Sequence, residues 1–244
     1  MQLIKKIFLS KKFRYLRKWL DPESERLRNF VRNAAAAAPE GALVIDVGAG
    51  ECQYKDLFRL QSYIGIDFAG GDASWDYSQL DIQADVHALP IRPATADFVL
   101  CTQVLEHTND PQKVVTEIAR ILKPDGTVFF SVPQGWGEHQ IPHDYFRYTR
   151  FGMKVLCARA GLAITATEKT TGLFGYLSNR LTMIPKVLFW NIRRPLVRIA
   201  LFPIELLSYV LFVVLPPFLI APLDVLDKEK AYTLNYTIVA KAMK

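Results

Sequence analysis

Between Ala42 and Pro133 the chain alternates short apolar runs with amphipathic stretches of helical period, the rhythm of a parallel sheet joined by crossover helices. Leu43–Val47 (LVIDV), Tyr63–Asp67 (YIGID), Asp97–Cys101 (DFVLC) and Thr127–Val132 (TVFFSV) read as buried strands, and a further short strand is expected just ahead of Asp85. Pro111–Leu122 opens with proline in a first-turn position and sets Val114, Val115, Ile118, Ile121 and Leu122 on one face. It stops at Lys123-Pro124-Asp125-Gly126, which predicts a helix followed by a tight turn into the next strand. Residues 22–38, ending in five alanines, predict a helix before the first strand. Arg150–Ala160, closed by Gly161, predicts another that leads into a strand at Leu162–Thr170.

The pattern breaks at residues 173–223, where Leu, Ile, Phe, Val and Pro dominate with neither strand alternation nor a clean helical stripe. Alternation returns at Tyr232–Lys241, which reads as the last strand. The expected fold class is therefore α/β: a mostly parallel sheet with crossover helices, and an apolar helical insertion before the last strand. Three regions follow: a basic amphipathic segment at 1–20, a catalytic-type domain from 21–172 and 230–244, and a membrane-associated helical insertion at 173–229.

A chain of 244 residues suits one such domain with appendages rather than two sizeable domains. Its net charge of +6 is local, because Met1 to Leu20 holds seven Lys and Arg and no acid. The other 224 residues, with 23 basic and 24 acidic side chains, sum to −1, so no basic groove for nucleic acid is implied across the fold. Cys52, Cys101 and Cys157 are odd in number and lie in or beside core elements, which points to a reducing, cytoplasmic setting. Charges recur through the N-terminus, unlike a secretory signal, so it is expected on the mature protein.

Candidate chemistry starts at the first strand. Val44-Ile45-Asp46-Val47-Gly48-Ala49-Gly50-Glu51 runs from a buried strand into a Gly-x-Gly turn, where backbone can approach a ligand that a Cβ would exclude. A ligand there sits at the carboxyl edge of the sheet, beside a helix N-terminus. The second strand ends in Asp67, 17 residues after Gly50, and a carboxylate so placed accepts hydrogen bonds from both ribose hydroxyls of a nucleoside. Two more segments follow in order, Asp85-Val86-His87-Ala88-Leu89-Pro90 and Val99-Leu100-Cys101-Thr102-Gln103-Val104-Leu105-Glu106-His107.

With Ile121-Leu122-Lys123-Pro124-Asp125-Gly126, these motifs resemble the class I S-adenosylmethionine-dependent methyltransferases, in the type 11-like branch with "acidic-x-Gly-x-Gly", "Asp…Leu-Pro" and "VLEH" segments. The resemblance covers about residues 42–171 and the terminal strand, and implies a Rossmann-like sheet with an antiparallel last strand and helices on both faces, with S-adenosylmethionine as cofactor. It would set Asp46 under the methionine portion, let Gly48 and Gly50 approach it, and give the ribose to Asp67. Asp85 would take the adenine amino group, the backbone around Val86 would complete the adenine pocket, and Gln103 would lie near the sulfonium. One departure is Cys52, where the family often has a third glycine; its side chain narrows the pocket without having to close it. A Cys52 nucleophile lacks an apparent His or Lys partner nearby in sequence. A nicotinamide or nucleotide-sugar enzyme on a related fold fits less well, since Gln53 stands where Gly-x-Gly-x-x-Gly needs its last glycine.

On the acceptor side, Gly135–Thr149 is dense in polar and aromatic residues and follows directly on a strand's carboxyl end. It resembles a "His-x-x-Pro-x-Asp-Tyr-x-Arg-Tyr-Thr" stretch of family members associated with bacterial cell-surface glycan and lipid pathways, which matches His139, Asp144 and Arg147. His139 is the candidate general base for a hydroxyl acceptor, ahead of His107 and His143. The plain alternative is that Asp144 and Arg147 form a structural ion pair while Thr149 caps the next helix. No Cys/His spacing implies a metal.

Leu206 to Leu223 carries no charge over 18 residues, but Pro216-Pro217 interrupts it, leaving about ten residues, or roughly 15 Å of helix, on the longer side. That is short of a bilayer core of about 30 Å. The resemblance implies that the flanking strands Leu162–Thr170 and Tyr232–Lys241 lie in one sheet, in which case both ends of the insertion emerge on the same side, as in a re-entrant or interfacial hairpin. Arg180, Lys186, Arg193, Arg194 and Arg198 would face anionic headgroups, and the basic, aromatic N-terminus would lie beside them. An oversized lid or dimer contact is the alternative for the insertion, and a solvated helix or nucleic-acid contact for the N-terminus. The expectation is an enzyme peripheral or monotopic on the inner face of a membrane, with a small-molecule or lipid-linked methyl acceptor. A non-catalytic membrane scaffold is the opposing reading; it has no need of Asp46, Asp67 and Asp85.

Overall fold

The computed structural model describes residues 22–192 and 194–243, so the expectations for the basic segment 1–20 and for Arg193 lie outside the described residues. Two compact units emerge, one of residues 27–169 with 235–243, the other of 170–234 with 22–26.

In the first unit the strands are β1 (Leu43–Val47), β2 (Ser62–Asp67), β3 (Ile82–Gln83), β4 (Ala96–Thr102), β5 (Leu122–Pro133), β6 (Leu162–Lys169) and β7 (Asn235–Ala242). They form one seven-stranded sheet in the order β3-β2-β1-β4-β5-β7-β6. β1 pairs in parallel with β2 (Val44 opposite Tyr63) and with β4 (Ile45 opposite Val99), while β7 runs antiparallel between β5 and β6. Strand order therefore reverses between β1 and β4, the switch point at which open α/β sheets bind ligands outside their carboxyl ends.

Alternation along the strands sorts the core onto two faces. Val44, Leu100 and Phe129 pack with Val31, Ala34 and Ala35 of α1 (Pro22–Ala37). The neighbouring Ile45, Val99, Val128 and Phe130 pack with α2 (Pro111–Ile121) and with Met153 and Cys157 of α3 (Arg150–Arg159). α2 starts on Asp110, whose carboxylate accepts from Lys113 N, and buries Val114, Val115, Ile118 and Ile121. Each such side chain contributes about 1.5–3 kcal/mol by burial.

Several boundaries differ from the sequence reading. Leu122 already pairs with Ala96, and Lys123–Gly126 is a bulge within β5, with Asp125 at φ 64°, rather than a turn before the strand. β7 starts at Asn235, not Tyr232, because side-chain bonds replace the ladder there: Thr171 N donates to Thr233 Oγ1 and Leu234 N donates to Thr171 Oγ1. The helix expected to open beside the Gly-x-Gly turn is only a single 3-10 turn, Lys55–Leu57, which the short connection into β2 leaves no room to extend.

The second unit holds α4 (Leu173–Leu181), α5 (Ile184–Phe189), α6 (Pro195–Tyr209) and α7 (Pro216–Leu219). Asp224 accepts from Gly172 N and Gly175 N, and Asp227 from Leu173 N, so carboxylates at the far end of the insertion cap the helix at its near end. Both ends are thus tied together, as antiparallel β6 and β7 require. The double proline does not cut the apolar run as expected. Helical backbone continues from Pro195 to Val225, a stretch of 31 residues long and apolar enough to cross a membrane. A π-helical stretch, Val210–Val214, absorbs the prolines, with Leu215 N donating to Val210 O at 3.0 Å. The Pro216 ring would clash with the carbonyl four residues back, and the wider turn relieves that clash.

Candidate active site

β1 delivers Asp46 and the two glycines to the carboxyl edge of the sheet. Gly48 has φ 76°, and a Cβ there would lie 2.3 Å from Val104 Cγ2, so no other residue fits. Its N–H and that of Ala49 donate to Ile66 O, locking the turn to β2. Asp46 is buried; its Oδ2 accepts from Tyr63 Oη at 2.6 Å and its Oδ1 has no partner among the described residues. Burial pushes its carboxyl up to about 7.

Gly50, at φ 52°, donates its N–H to Asp67 Oδ2, and Ala69 N donates to Asp67 Oδ1. Each Asp67 oxygen accepts one backbone bond, which leaves a lone pair on each for a ligand hydroxyl. Asp85 and Val86 follow β3 at the same edge: Asp85 is exposed and holds His87 through its N–H and Nδ1, and Val86 is buried. His87 donors hold the Asp85 carboxyl below its ordinary value. After β4, Gln103 takes a left-handed φ of 55°, held by its N–H to Ser131 O and its Nε2 to Ser131 Oγ. Strain of this kind gathers at functional positions.

The structure shows how Cys52 is accommodated. It has φ 54°, and a Cβ on Gly65 would come within 2.6 Å of its Sγ, so the sulfur occupies space that a glycine in β2 leaves open. Burial raises the thiol above its ordinary value, which disfavours a thiolate nucleophile.

The loop after β5 is pinned over the turn that follows β4, since Tyr145 N donates to Glu106 O and Tyr148 Oη to Leu105 O. Within it, Arg147 grips Asp144 through both terminal nitrogens, at 2.6 and 2.7 Å. The same guanidinium donates to Trp136 O, Gly137 O and Phe146 O. These bonds hold the Asp144 carboxyl well below the usual range. Asp144 Oδ2 also accepts from His139 N at 2.8 Å, and Thr149 Oγ1 caps α3 by accepting from Gly152 N. The His139 ring meets His107 edge-on at 4.7 Å between centroids, while His143 points its Nδ1 to Tyr145 Oη.

Six of the seven residues singled out around the nucleoside line adjacent strand ends, with Asp85 on the rim, and the three acceptor-side residues share one loop. Glu106 escaped the sequence reading as a functional candidate. Its side chain is fully buried, neither carboxylate oxygen has a partner among the described residues, and burial pushes it up to about 8. Its place three residues after Gln103, in a turn at a strand end, was the available signal.

A family profile described as "Methyltransferase domain" matches residues 45–130. The ubiquinone biosynthesis O-methyltransferase of Klebsiella pneumoniae (strain 342) is 38% identical over 100 residues, which is 40% of this chain and 36% of that protein. Its counterpart in Bordetella bronchiseptica is 32% identical over 135 residues, 47% of this chain and 55% of that protein. The chain thus spans between about a third and about half the length of these curated relatives. Among solved structures, the [4+2]-cyclase SpnF superposes with a TM-score of 0.57 at 16% identity, covering 89% of this chain and 81% of that one. A Burkholderia thailandensis 1,6-didemethyltoxoflavin-N1-methyltransferase with bound S-adenosylhomocysteine gives 0.53 at 15%, covering 100% and 88%. These superpositions establish the fold, and one of them carries a cyclase, so fold alone does not name a reaction. With the ordered motifs and the switch-point turn, the match identifies residues 45–130 as a methyltransferase domain of the kind that uses S-adenosylmethionine, set in a sheet of the class I fold.

Proposed function

We propose that this protein transfers a methyl group from S-adenosylmethionine to an amphiphilic or lipid-linked acceptor at the cytoplasmic face of a membrane. The observation that carries the cofactor assignment is Asp46, a buried carboxylate with one oxygen unpartnered beside a turn that tolerates no Cβ. A buried acceptor of this kind is costly in the empty fold and fits a ligand that brings donors, such as the amino acid portion of S-adenosylmethionine. Asp46, Gly48 and Gly50 would hold that portion, Asp67 the ribose hydroxyls, Asp85 and the backbone at Val86 the adenine, with Gln103 nearest the sulfonium. When bound, S-adenosylmethionine supplies an electrophilic methyl group on sulfur.

The chain's own part is chiefly alignment and exclusion of water. On the acceptor side Asp144 and Arg147 act as positioning residues, because their bonds to each other and to the loop carbonyls fix its shape. His139 is the group that meets the acceptor: its Nδ1 lies 3.1 Å from Gly137 O and 3.3 Å from Asp144 Oδ2. Both neighbours are acceptors, so Nδ1 carries the proton and Nε2 keeps a lone pair for an acceptor hydroxyl.

The membrane assignment is supported by an inverted pattern in α6. Leu196 and Ile199 are 80% and 70% exposed, and Phe202, Ile204, Leu206 and Leu207 are exposed as well, while Ser208 is buried and Glu205 is largely shielded. A helix that turns apolar side chains outward and polar ones inward suits a lipid surface. Lys186, Arg194 and Arg198 are exposed beside it, and Arg180 is half-buried with its guanidinium 5.9 Å from the Tyr176 ring.

Calorimetric titration of the purified protein with S-adenosylmethionine and S-adenosylhomocysteine tests the cofactor, with NADH as control. Saturable binding of the first two, weakened at least tenfold in Asp67→Ala, is expected; preference for NADH would overturn the assignment. For the membrane, Leu196→Lys with Ile199→Lys should abolish flotation with anionic liposomes, and unchanged flotation would remove the insertion as the anchor.

A further inference from the structure

We propose that Glu106, His107 and His139 form a binding site for one divalent transition-metal ion at the carboxyl edge of the sheet. One ligand atom from each lies within 4.8 Å of the other two. Glu106 supplies the need for a cation: its side chain is wholly buried and both oxygens lack a hydrogen-bond donor among the described residues. The Arg147 guanidinium has its donors directed to Asp144 and to three backbone carbonyls. His107 Nε2 stands 3.9 Å from Glu106 Oε1, outside hydrogen-bonding range, so no direct bond satisfies the pair.

Both histidines are set to present the same nitrogen. His107 Nδ1 lies 2.6 Å from the His143 carbonyl oxygen, and His139 Nδ1 faces the Gly137 carbonyl and the Asp144 carboxylate. Each Nδ1 therefore donates, which leaves Nε2 as the lone-pair nitrogen. Metal-bound histidines are oriented in this way by a carbonyl or carboxylate behind the ring. An ion that holds nitrogen and oxygen ligands at about 2.1 Å allows at most about 4.2 Å between any two of them, so the 4.8 Å spread must close by roughly 0.6 Å. His139, 39% exposed and on a loop, has the freedom to do so.

Two imidazoles and one carboxylate select a first-row ion such as Zn2+, Co2+, Mn2+ or Fe2+ and leave coordination positions open. Those positions would take oxygen donors of the methyl acceptor, with the His139 lone pair on the ion rather than directly on the hydroxyl. That use rests on the methyl-transfer reading; the site itself does not. Glu106 and His107 lie more than thirty residues from His139, so no sequence spacing announces the set.

The test is titration of chelator-treated full-length protein with Co2+, followed by visible ligand-field absorption, and with Zn2+ by calorimetry, each beside an S-adenosylhomocysteine titration of the same sample. One equivalent should bind, with affinity falling at least tenfold in His139→Ala and in Glu106→Gln while S-adenosylhomocysteine affinity stays within twofold. Because the His139 ring is partly exposed, that variant should fold even if Glu106→Gln does not. Absence of saturable binding in protein that still binds S-adenosylhomocysteine would overturn the site, as would binding indifferent to His139→Ala. Metal binding without S-adenosylhomocysteine binding would keep the site and sink the methyl-transfer reading instead.

Discussion

Asp46→Asn replaces a buried, half-satisfied carboxylate with a neutral isostere that can still accept from Tyr63 Oη. In the folded protein burial raises this acid from its ordinary 3.8 to about 7. Between those values the folded state holds a proton that the unfolded chain has released, so stability falls as pH rises through the window and stays low above it. At about 1.4 kcal/mol per pH unit, a gap of about three units amounts to ~4 kcal/mol. Some of this returns as the cost of the amide's new donors, about 1–3 kcal/mol when they find no acceptor. The ligand-free variant is therefore expected to be about 1–3 kcal/mol more stable than wild type at pH 8, and no more stable at pH 4, while binding S-adenosylmethionine at least tenfold more weakly. Urea unfolding from pH 4 to pH 8 on both proteins isolates the Asp46 contribution as the difference in slope, with Glu106 common to the two. Parallel curves would show that Asp46 ionises freely in the fold and would refute the assignment of a buried, functionally retained acid.

Three further outcomes follow from the same geometry. Gly48→Ala, which meets both φ 76° and a Cβ only 2.3 Å from Val104 Cγ2, should abolish S-adenosylhomocysteine binding in calorimetry, and Val104→Ala in that background should recover stability but not full affinity. Gly65→Ala should destabilise the protein by about 1–3 kcal/mol through contact with the Cys52 sulfur, and Cys52→Gly should rescue it; additivity of the two in a thermal-melt cycle would show that they do not share that space. Asp144→Asn should cost about 1–3 kcal/mol locally by leaving Arg147 donors short. Hydrogen exchange across residues 136–148 should accelerate while S-adenosylhomocysteine affinity holds, and unchanged exchange would deny the loop-clasp role.

The sequence by itself determined the sheet and the placing of most candidate nucleoside-binding residues at its carboxyl edge, because both are written in local periodicity. Buried parallel strands read as unbroken apolar runs, and Asp46, Gly48, Gly50 and Asp67 sit at strand ends that those runs locate. α2 was equally legible, its proline start and single apolar face being fixed by the helical repeat. Tertiary structure alone decided what depends on neighbours distant in sequence. It showed that Cys52 is tolerated because Gly65 makes room, that Asp144 and Arg147 close a loop on itself, and that Asp224 caps a helix some fifty residues earlier. It also joined the run across Pro216 through a π turn and turned that run's apolar side outward, although proline rules predict an interruption. Most of all, it brought His139 to Glu106 and His107: that a fully buried carboxylate meets no hydrogen-bond donor among the described residues depends on neighbours far apart in sequence.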